Sequence, residues 1–136
     1  DALRVDVVIG EQEPVRIKLR HKWRGSSIYN PTHAIERAAK FDKGDHFDIG
    51  VGAHTHVSGL VRMFNNGTKT GLAVQCGTYK RHDNFAEEVG FEQPNAMTAV
   101  PVVIHGRHRY TTFSTLDDAL DYMNLYWRTE NDRTSN

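Results

Sequence analysis

Two histidines separated by one residue, His54 and His56, follow a short apolar segment at residues 47–53 that ends in small residues. Imidazole is the commonest protein ligand for metal ions at neutral pH. Residues i and i+2 of an extended segment point to the same side, so both imidazoles are expected to face one pocket. The pattern therefore predicts ligands for one metal ion or for two neighbouring ions. Two surface histidines beside a turn are the alternative interpretation.

A third histidine, His21, lies near the end of a segment at residues 15–24 in which apolar and basic residues alternate. The alternation predicts a β-strand with His21 on the core-side face and the basic residues on a solvated face. Taken alone, His21 is more simply a hydrogen-bonded core residue. Together with His54 and His56 it could form a catalytic zinc site with an open position, which would activate water for hydrolysis. The sequence places no obvious carboxylate beside the three histidines to support them.

The elements that would position these histidines form an α/β fold, a mixed β-sheet flanked by helices. The strands are expected at residues 5–9, 15–24, 47–51, 58–64, 70–79, 99–104 and 109–113. The Asn65-Asn66-Gly67 sequence is typical of a hairpin turn. A second hairpin turn is expected to expose His105 and His108.

Three helices are expected. The first occupies residues 31–41 behind an Asn30 cap, with His33 exposed and with core positions at Ala34, Ile35, Ala38 and Phe41. A short helix at residues 83–89 precedes a loop at residues 90–98. Ser114 or Thr115 caps a final helix to about Trp127, with a buried stripe of Leu116, Ala119, Leu120 and Met123. Residues 129–136 are expected to form a polar, frayed tail.

The bulk composition limits the possible functions. A chain of 136 residues can bury one core, and its 17 basic residues balance its 17 acidic residues, so no net charge attracts nucleic acid or membrane. The single cysteine, Cys76, excludes an internal disulfide. No signal peptide or membrane span is recognisable, and we expect a cytoplasmic protein. Because the first residue is not Met, the chain is expected to begin inside a longer protein.

Three segments resemble the calcineurin-like metallophosphoesterases. Residues 53–56, Ala-His-Thr-His after an Asp-containing apolar strand, are similar to the Gly-His-x-His motif of that family. Residues 20–27 and 29–33 resemble the upstream segment with the family's lone ligand histidine, and residues 76–80 resemble its Gly-Ser-Tyr strand end. The resemblance covers residues 15–79. Ala53 replaces the usual Gly, which is tolerable if Ala53 avoids a positive φ angle.

This resemblance implies a two-metal phosphoester hydrolase with the fold of the C-terminal half of the family's α/β sandwich. His21 and His54 would bind one metal and His56 the other, with Mn, Zn or Fe as the divalent ions. A hydroxide held between the metals would attack the phosphorus of a phosphodiester such as nucleic acid.

The family's earlier motifs are missing from the twenty residues before His21. These motifs are Asp-x-His, Gly-Asp-x-x-Asp and Gly-Asn-His-Glu/Asp, and they supply the bridging carboxylate and the catalytic histidine. Residues 44–48 match Gly-Asp-x-x-Asp but lie on the wrong side of His21, and we interpret them as a helix end and strand start. The resemblance therefore implies a partial domain at residues 1–128, without catalytic or cofactor-binding residues, that binds metal weakly and is inactive alone.

Two further hypotheses remain. A half-sandwich would leave one sheet face uncovered, so the chain could be a non-catalytic module that docks a partner chain, its missing N-terminal half or a second copy. Alternatively, the three histidines could form a self-sufficient mononuclear zinc hydrolase.

Overall fold

The computed structural model describes residues 1–25, 27, 29–55, 58–66, 69–78 and 99–135. Its strands are β1 (Leu3–Val7), β2 (Val15–Arg20), β3 (Ile49–Gly52), β4 (Leu60–Asn66), β5 (Lys69–Gln75), β6 (Val102–Gly106) and β7 (Arg109–Thr112). Its helices are α1 (His33–Phe41) and α2 (Leu116–Thr134). The predicted helix at residues 83–89, the loop at 90–98, Gly67 of the hairpin turn and Tyr79 lie outside the described residues.

The predicted mixed α/β class is confirmed. Five strands form one sheet in the order β1-β2-β3-β5-β4, and β6 and β7 form a separate antiparallel pair. The three central strands β2, β3 and β5 are parallel, while β1 and β4 pair antiparallel at the two edges. The carboxyl ends of the central strands therefore meet at one edge of the sheet, where ligands of open α/β sheets usually bind. Of the helices in the described residues, none is long and apolar enough to cross a membrane.

Helix α1 covers one face of the sheet. Ala34 and Ile35 of the helix pack with Trp23, Phe47 and Ala73 in a buried cluster. The helix begins at His33 behind Thr32, two residues later than the predicted start, and His33 is exposed as predicted. Phe41 was predicted to be a core residue, but it is 68% exposed because the helix ends there, beyond the edge of the sheet cluster.

The opposite face of the sheet is covered by the β6–β7 hairpin. Val15, Ile49, Leu72 and Val74 form its buried cluster. The hairpin side chains Val102, Ile104 and Tyr110 pack against this cluster. Both faces of the central strands are thus covered within this chain, contrary to the expectation of an uncovered sheet face.

The alternation predicted that the whole basic face of β2 would be solvated, but part of this face is buried. Lys18 is 2% exposed, because its side chain lies near the Trp23 and Phe47 rings and its ammonium pairs with Asp45. Trp23 lies past the strand end and packs on the α1 side, not on the face shared by Val15 and Ile17. The period-2 rule holds only while the backbone stays extended.

Helix α2 begins as predicted, with the Thr115 side chain accepting a hydrogen bond from the Asp118 backbone N–H. It continues to Thr134, so most of the predicted tail is helical. The predicted buried stripe is wrong except at Ala119. The neighbouring face carries Tyr122, whose ring packs on Phe113 and His105 of the hairpin region.

Gly50 of β3 allows α1 to approach the sheet closely, and we predict that Gly50→Ala destabilises the fold. A Cβ at this position would lie 2.7 Å from Cε2 of Phe47 and closer still to Cγ2 of Ile35. Overpacking of this kind costs about 1–3 kcal/mol. Urea unfolding should show this loss, whereas Gly44→Ala, which meets no atom within 4 Å, should change stability by less than about 0.5 kcal/mol. Equal stability of the two variants would contradict the close packing.

Candidate functional site

His21 and His54 meet at the carboxyl edge of the parallel strands. His21 directly follows β2 and His54 lies two residues after β3, and the Ala53 N–H donates to the His21 carbonyl oxygen at 3.3 Å. Nε2 of His21 lies 3.1 Å from Nδ1 of His54, and the ring planes cross at 75°. The convergence predicted from the two strand ends is therefore present for these two histidines.

The distance between the two nitrogens matches that of two ligands on one metal ion. Nitrogen ligands lie about 2.1 Å from zinc, so a pair separated by 90° lies about 3.0 Å apart and a tetrahedral pair about 3.4 Å apart. The observed 3.1 Å falls inside this interval. Without an ion, one ring N–H donates to the other ring. The predicted third ligand, His56, lies outside the described residues and stays a prediction.

The backbone at His54 is not extended, contrary to the geometry from which the site was predicted. Its φ angle is +81°, in the left-handed region, and β3 already ends at Gly52. Histidine enters this region more readily than most residues, and such conformations cluster at functional sites. Ala53 is not among the residues with positive φ, so the replacement of the family's Gly is compatible with this backbone.

Strand β5 supports the histidine loop through Gln75, a residue that the sequence interpretation missed. The buried Gln75 side chain donates from Nε2 to the Ala53 carbonyl oxygen at 2.9 Å. The Cys76 N–H donates to the Gly52 carbonyl oxygen at 2.8 Å. The sequence signal that could have identified Gln75 is its position as a polar residue directly after the apolar run 72–74. The paired hairpin β4–β5 thus holds the loop from behind, as predicted.

The immediate surroundings of His54 are tightly packed. The adjacent pocket has a volume of about 20 Å³, enough for about one water molecule. The Thr55 hydroxyl lines it, is inaccessible to solvent and has no hydrogen-bond partner among the described residues. Burial raises the pKa of the Cys76 thiol. His21, in contrast, is exposed, so the site opens on its side.

The acidic residues of the Gly-Asp-x-x-Asp match lie at the opposite end of β3. Asp48 immediately precedes the strand, whose four residues span about 13 Å. Its buried carboxylate accepts from the Arg16 N–H at 2.8 Å and from Arg107 Nε at 3.2 Å. Asp45 accepts from Arg4 Nη2 at 2.8 Å. These positions agree with the interpretation of residues 44–48 as a structural segment and not as metal ligands.

We predict that Asp45→Asn lowers stability by about 2 kcal/mol at pH 7, because it leaves the buried Lys18 ammonium without its carboxylate. Hydrogen bonds from Arg4 and Lys18 hold the pKa of Asp45 well below its usual range. A lowered pKa stabilises the fold above the unfolded value of about 3.9, and this contribution is lost as pH falls further. The gap between wild type and variant should therefore narrow below about pH 4. Chemical unfolding from pH 7 to pH 2.5 measures this difference in unfolding free energy, and the exposed Asp121→Asn is the control. A difference that does not change with pH would refute the ion pair between Asp45 and Lys18 as its cause.

The other described histidines are structural or remote. His105 was predicted to be exposed, but it is half-buried, 3.0 Å from the Thr111 hydroxyl and 3.1 Å from the Tyr122 hydroxyl. His108 was also predicted to be exposed, but its Nδ1 lies 2.8 Å from the Thr70 carbonyl oxygen. Both are drawn inward because the hairpin packs between the sheet and α2.

Within the described part of the chain, no group of three or more His, Cys, Asp or Glu side chains is arranged to hold a metal ion. Comparisons with models of known protein families, with curated protein sequences and with solved structures gave no match. The geometry of the site and the motif resemblance are therefore the two indications of function.

Proposed function

We propose that this chain carries part of the metal centre of a phosphoesterase, as the C-terminal part of a calcineurin-like metallophosphoesterase. The observation that carries the proposal is the 3.1 Å approach of His21 Nε2 and His54 Nδ1 at the carboxyl edge of three parallel strands. The two histidines come from two separate strand ends, and His54 adopts a left-handed backbone where they meet. The order of the matching motifs, with the Asp45–Asp48 segment at the far edge, supports the same proposal.

The residues of this chain would hold and orient a divalent ion. His21 and His54 would supply one nitrogen each, and Gln75 would fix the His54 loop through the Ala53 carbonyl. Two imidazoles suit Zn, Mn or Fe, and His56 is the residue that the resemblance assigns to a second ion. A bound ion would act as a Lewis acid on phosphoryl oxygens and lower the pKa of water.

The approach of a phosphodiester to this centre can be measured by ³¹P relaxation. Mn²⁺ is titrated into the chain in excess dimethyl phosphate, because relaxation by Mn²⁺ falls steeply with its distance from phosphorus. The wild type should give faster relaxation than the double variant His21→Ala/His54→Ala at the same total Mn²⁺. Equal relaxation in both proteins would overturn the proposal.

Hydrolysis is a separate test of the fragment interpretation. The 136 residues with Mn²⁺ or Zn²⁺ should give no multiple turnover of bis(p-nitrophenyl) phosphate, because the bridging carboxylate and catalytic histidine of the family are not matched in this chain. Sustained turnover that depends on His54 would instead favour the mononuclear zinc hydrolase.

A partner-docking module is the second candidate, and the exposed apolar stripe of α2 favours it. Leu116, Leu120, Met123 and Trp127 lie on one face of the helix at helical spacing and are all exposed. Light scattering over a hundredfold range of concentration should show self-association that Leu120→Lys/Trp127→Lys removes. A monomer throughout that range would count against a docking stripe for a second copy.

A further inference from the structure

A groove lined by basic residues runs between β2 and α1, with a volume of about 580 Å³. Arg20 of β2, Arg24 of the following turn and Arg37 of α1 contribute its cations. Lys18 also lines the groove, but its buried ammonium pairs with Asp45. Asp42 is the one carboxylate among its lining residues. The Arg37 guanidinium reaches across to the turn, since a Cβ at Gly25 would lie 3.2 Å from Nη1. We call this feature the basic groove.

Three of its guanidinium groups have no carboxylate partner in the part of the chain that the structure describes. Among the described residues, Arg20, Arg24 and Arg37 form no ion pair, and neither do Arg109 and Arg128, which do not line the groove. The five arginines that do form ion pairs are Arg4, Arg16, Arg62, Arg107 and Arg133. Nε of Arg20 is also inaccessible to solvent without a hydrogen-bond partner in the described chain. Arg24 and Arg37 are exposed, so their guanidinium groups can reach an anion in the groove together with the terminal nitrogens of Arg20. Guanidinium groups bind phosphate oxygens in pairs.

Aromatic side chains line the same groove. Phe41, 68% exposed, lies at its α1 end, and the Arg20 guanidinium lies 5.5 Å from the centre of the Trp23 ring. An exposed aromatic ring beside unpaired cations is the combination by which proteins bind single-stranded nucleic acid, through base stacking and phosphate contacts. Trp23 and Ala34 line both the basic groove and the small pocket beside His54. The groove therefore borders the histidine site.

We propose that the basic groove binds single-stranded nucleic acid, with Arg20, Arg24 and Arg37 on the phosphates and Phe41 under a base. The assignment of nucleic acid as the substrate of the His21–His54 site rests on the proposed function, but binding in the groove does not require the metal. This separates the two claims, because binding can be measured in EDTA. Because the net charge of the chain is balanced, binding of a polyanion would depend on a local concentration of cations such as this groove.

Fluorescence anisotropy with a labelled 15-nucleotide oligo(dT) in EDTA tests the proposal. Arg24→Gln/Arg37→Gln is compared with Arg109→Gln/Arg128→Gln, because all four side chains are exposed arginines without an ion pair in the described chain. Both variants lose the same charge. The groove variant should bind roughly tenfold or more weakly at low salt, and the slope of log K against log salt should fall by about 1.4, or about 0.7 per lost phosphate contact. The control variant should retain the wild-type slope.

Three results would overturn the proposal. These are no binding by the wild type, equal weakening in the two double variants, or binding to heparin as tight as to oligo(dT) with no effect of Phe41→Ala. The last result would identify an unspecific polyanion surface. Arg20→Lys keeps the charge but loses the planar guanidinium, so it should weaken binding while circular dichroism shows a folded protein. Equal Mn²⁺ relaxation in wild type and His21→Ala/His54→Ala, together with oligo(dT) binding that depends on the groove arginines, would reject the proposed phosphoesterase function. The same pair of results would support nucleic-acid binding in the groove.

Discussion

Replacement of either His21 or His54 by alanine is expected to weaken Zn²⁺ binding by about 100-fold. Structural zinc sites with four ligands contribute about 10–16 kcal/mol, so one ligand is worth about 3 kcal/mol, or roughly two powers of ten in affinity. The two nitrogens lie 3.1 Å apart, and either substitution leaves a single imidazole of this pair. Isothermal titration calorimetry at pH 7.5 measures the affinity. His33→Ala is the control, because His33 is exposed at the start of α1.

The same titration separates the two metal hypotheses. In the two-metal interpretation His56 belongs to the other ion, so His56→Ala should weaken the first binding event far less than His21→Ala or His54→Ala. A mononuclear site with three histidines would lose the same affinity in all three variants. If both His21→Ala and His54→Ala bound Zn²⁺ with wild-type affinity, the hypothesis of a metal site at these histidines would be rejected.

The meeting of His21 and His54 could be predicted because it follows from topology. Parallel neighbouring strands place the residues after their carboxyl ends at one edge, whatever the details of the loop. The expected relation between His54 and His56 assumed an extended backbone, but the backbone at His54 has a positive φ angle. A left-handed residue has no reliable signature in a single sequence when the residue is not glycine or asparagine.

The periodicity of apolar residues identified the faces of β2 and α2, but it did not identify which neighbouring elements cover those faces. The basic face of β2 was expected in solvent, but the Phe47 ring and the Asp45 carboxylate lie over that side at Lys18, which is buried. The stripe of Leu116, Leu120 and Met123 was expected in the core, but α2 turns Ala119 and Tyr122 toward the hairpin instead. In both cases the neighbouring element is distant in sequence, so its contacts are set by the tertiary fold and not by the local pattern.

Asp48→Ala is expected to destabilise the protein by about 3–5 kcal/mol, the range found when one partner of a buried ion pair is removed. The Asp48 side chain is 0% exposed and links three parts of the fold. It accepts from the Arg16 N–H of β2 and from Arg107 in the β6–β7 turn, and it lies 3.3 Å from His46 Nε2. Such a loss is a large fraction of a typical domain stability of about 5–15 kcal/mol. Urea unfolding measures it.

The matched control is Asp6→Ala, because Asp6 pairs with the Arg16 side chain at 4.0 Å on the exposed surface. Exposed pairs contribute about 0–1 kcal/mol, so this variant should stay near wild type. Hydrogen exchange locates the effect, since losing the Arg107 contact should accelerate exchange of the β6 and β7 amides before those of β3. Unchanged β6–β7 exchange in Asp48→Ala would show that Asp48 does not anchor the hairpin.

Because Asp48 lies at the far end of β3 from His54, the folded Asp48→Asn protein should bind Zn²⁺ with an affinity within about twofold of wild type. A larger loss of affinity would mean that the two ends of the strand are coupled.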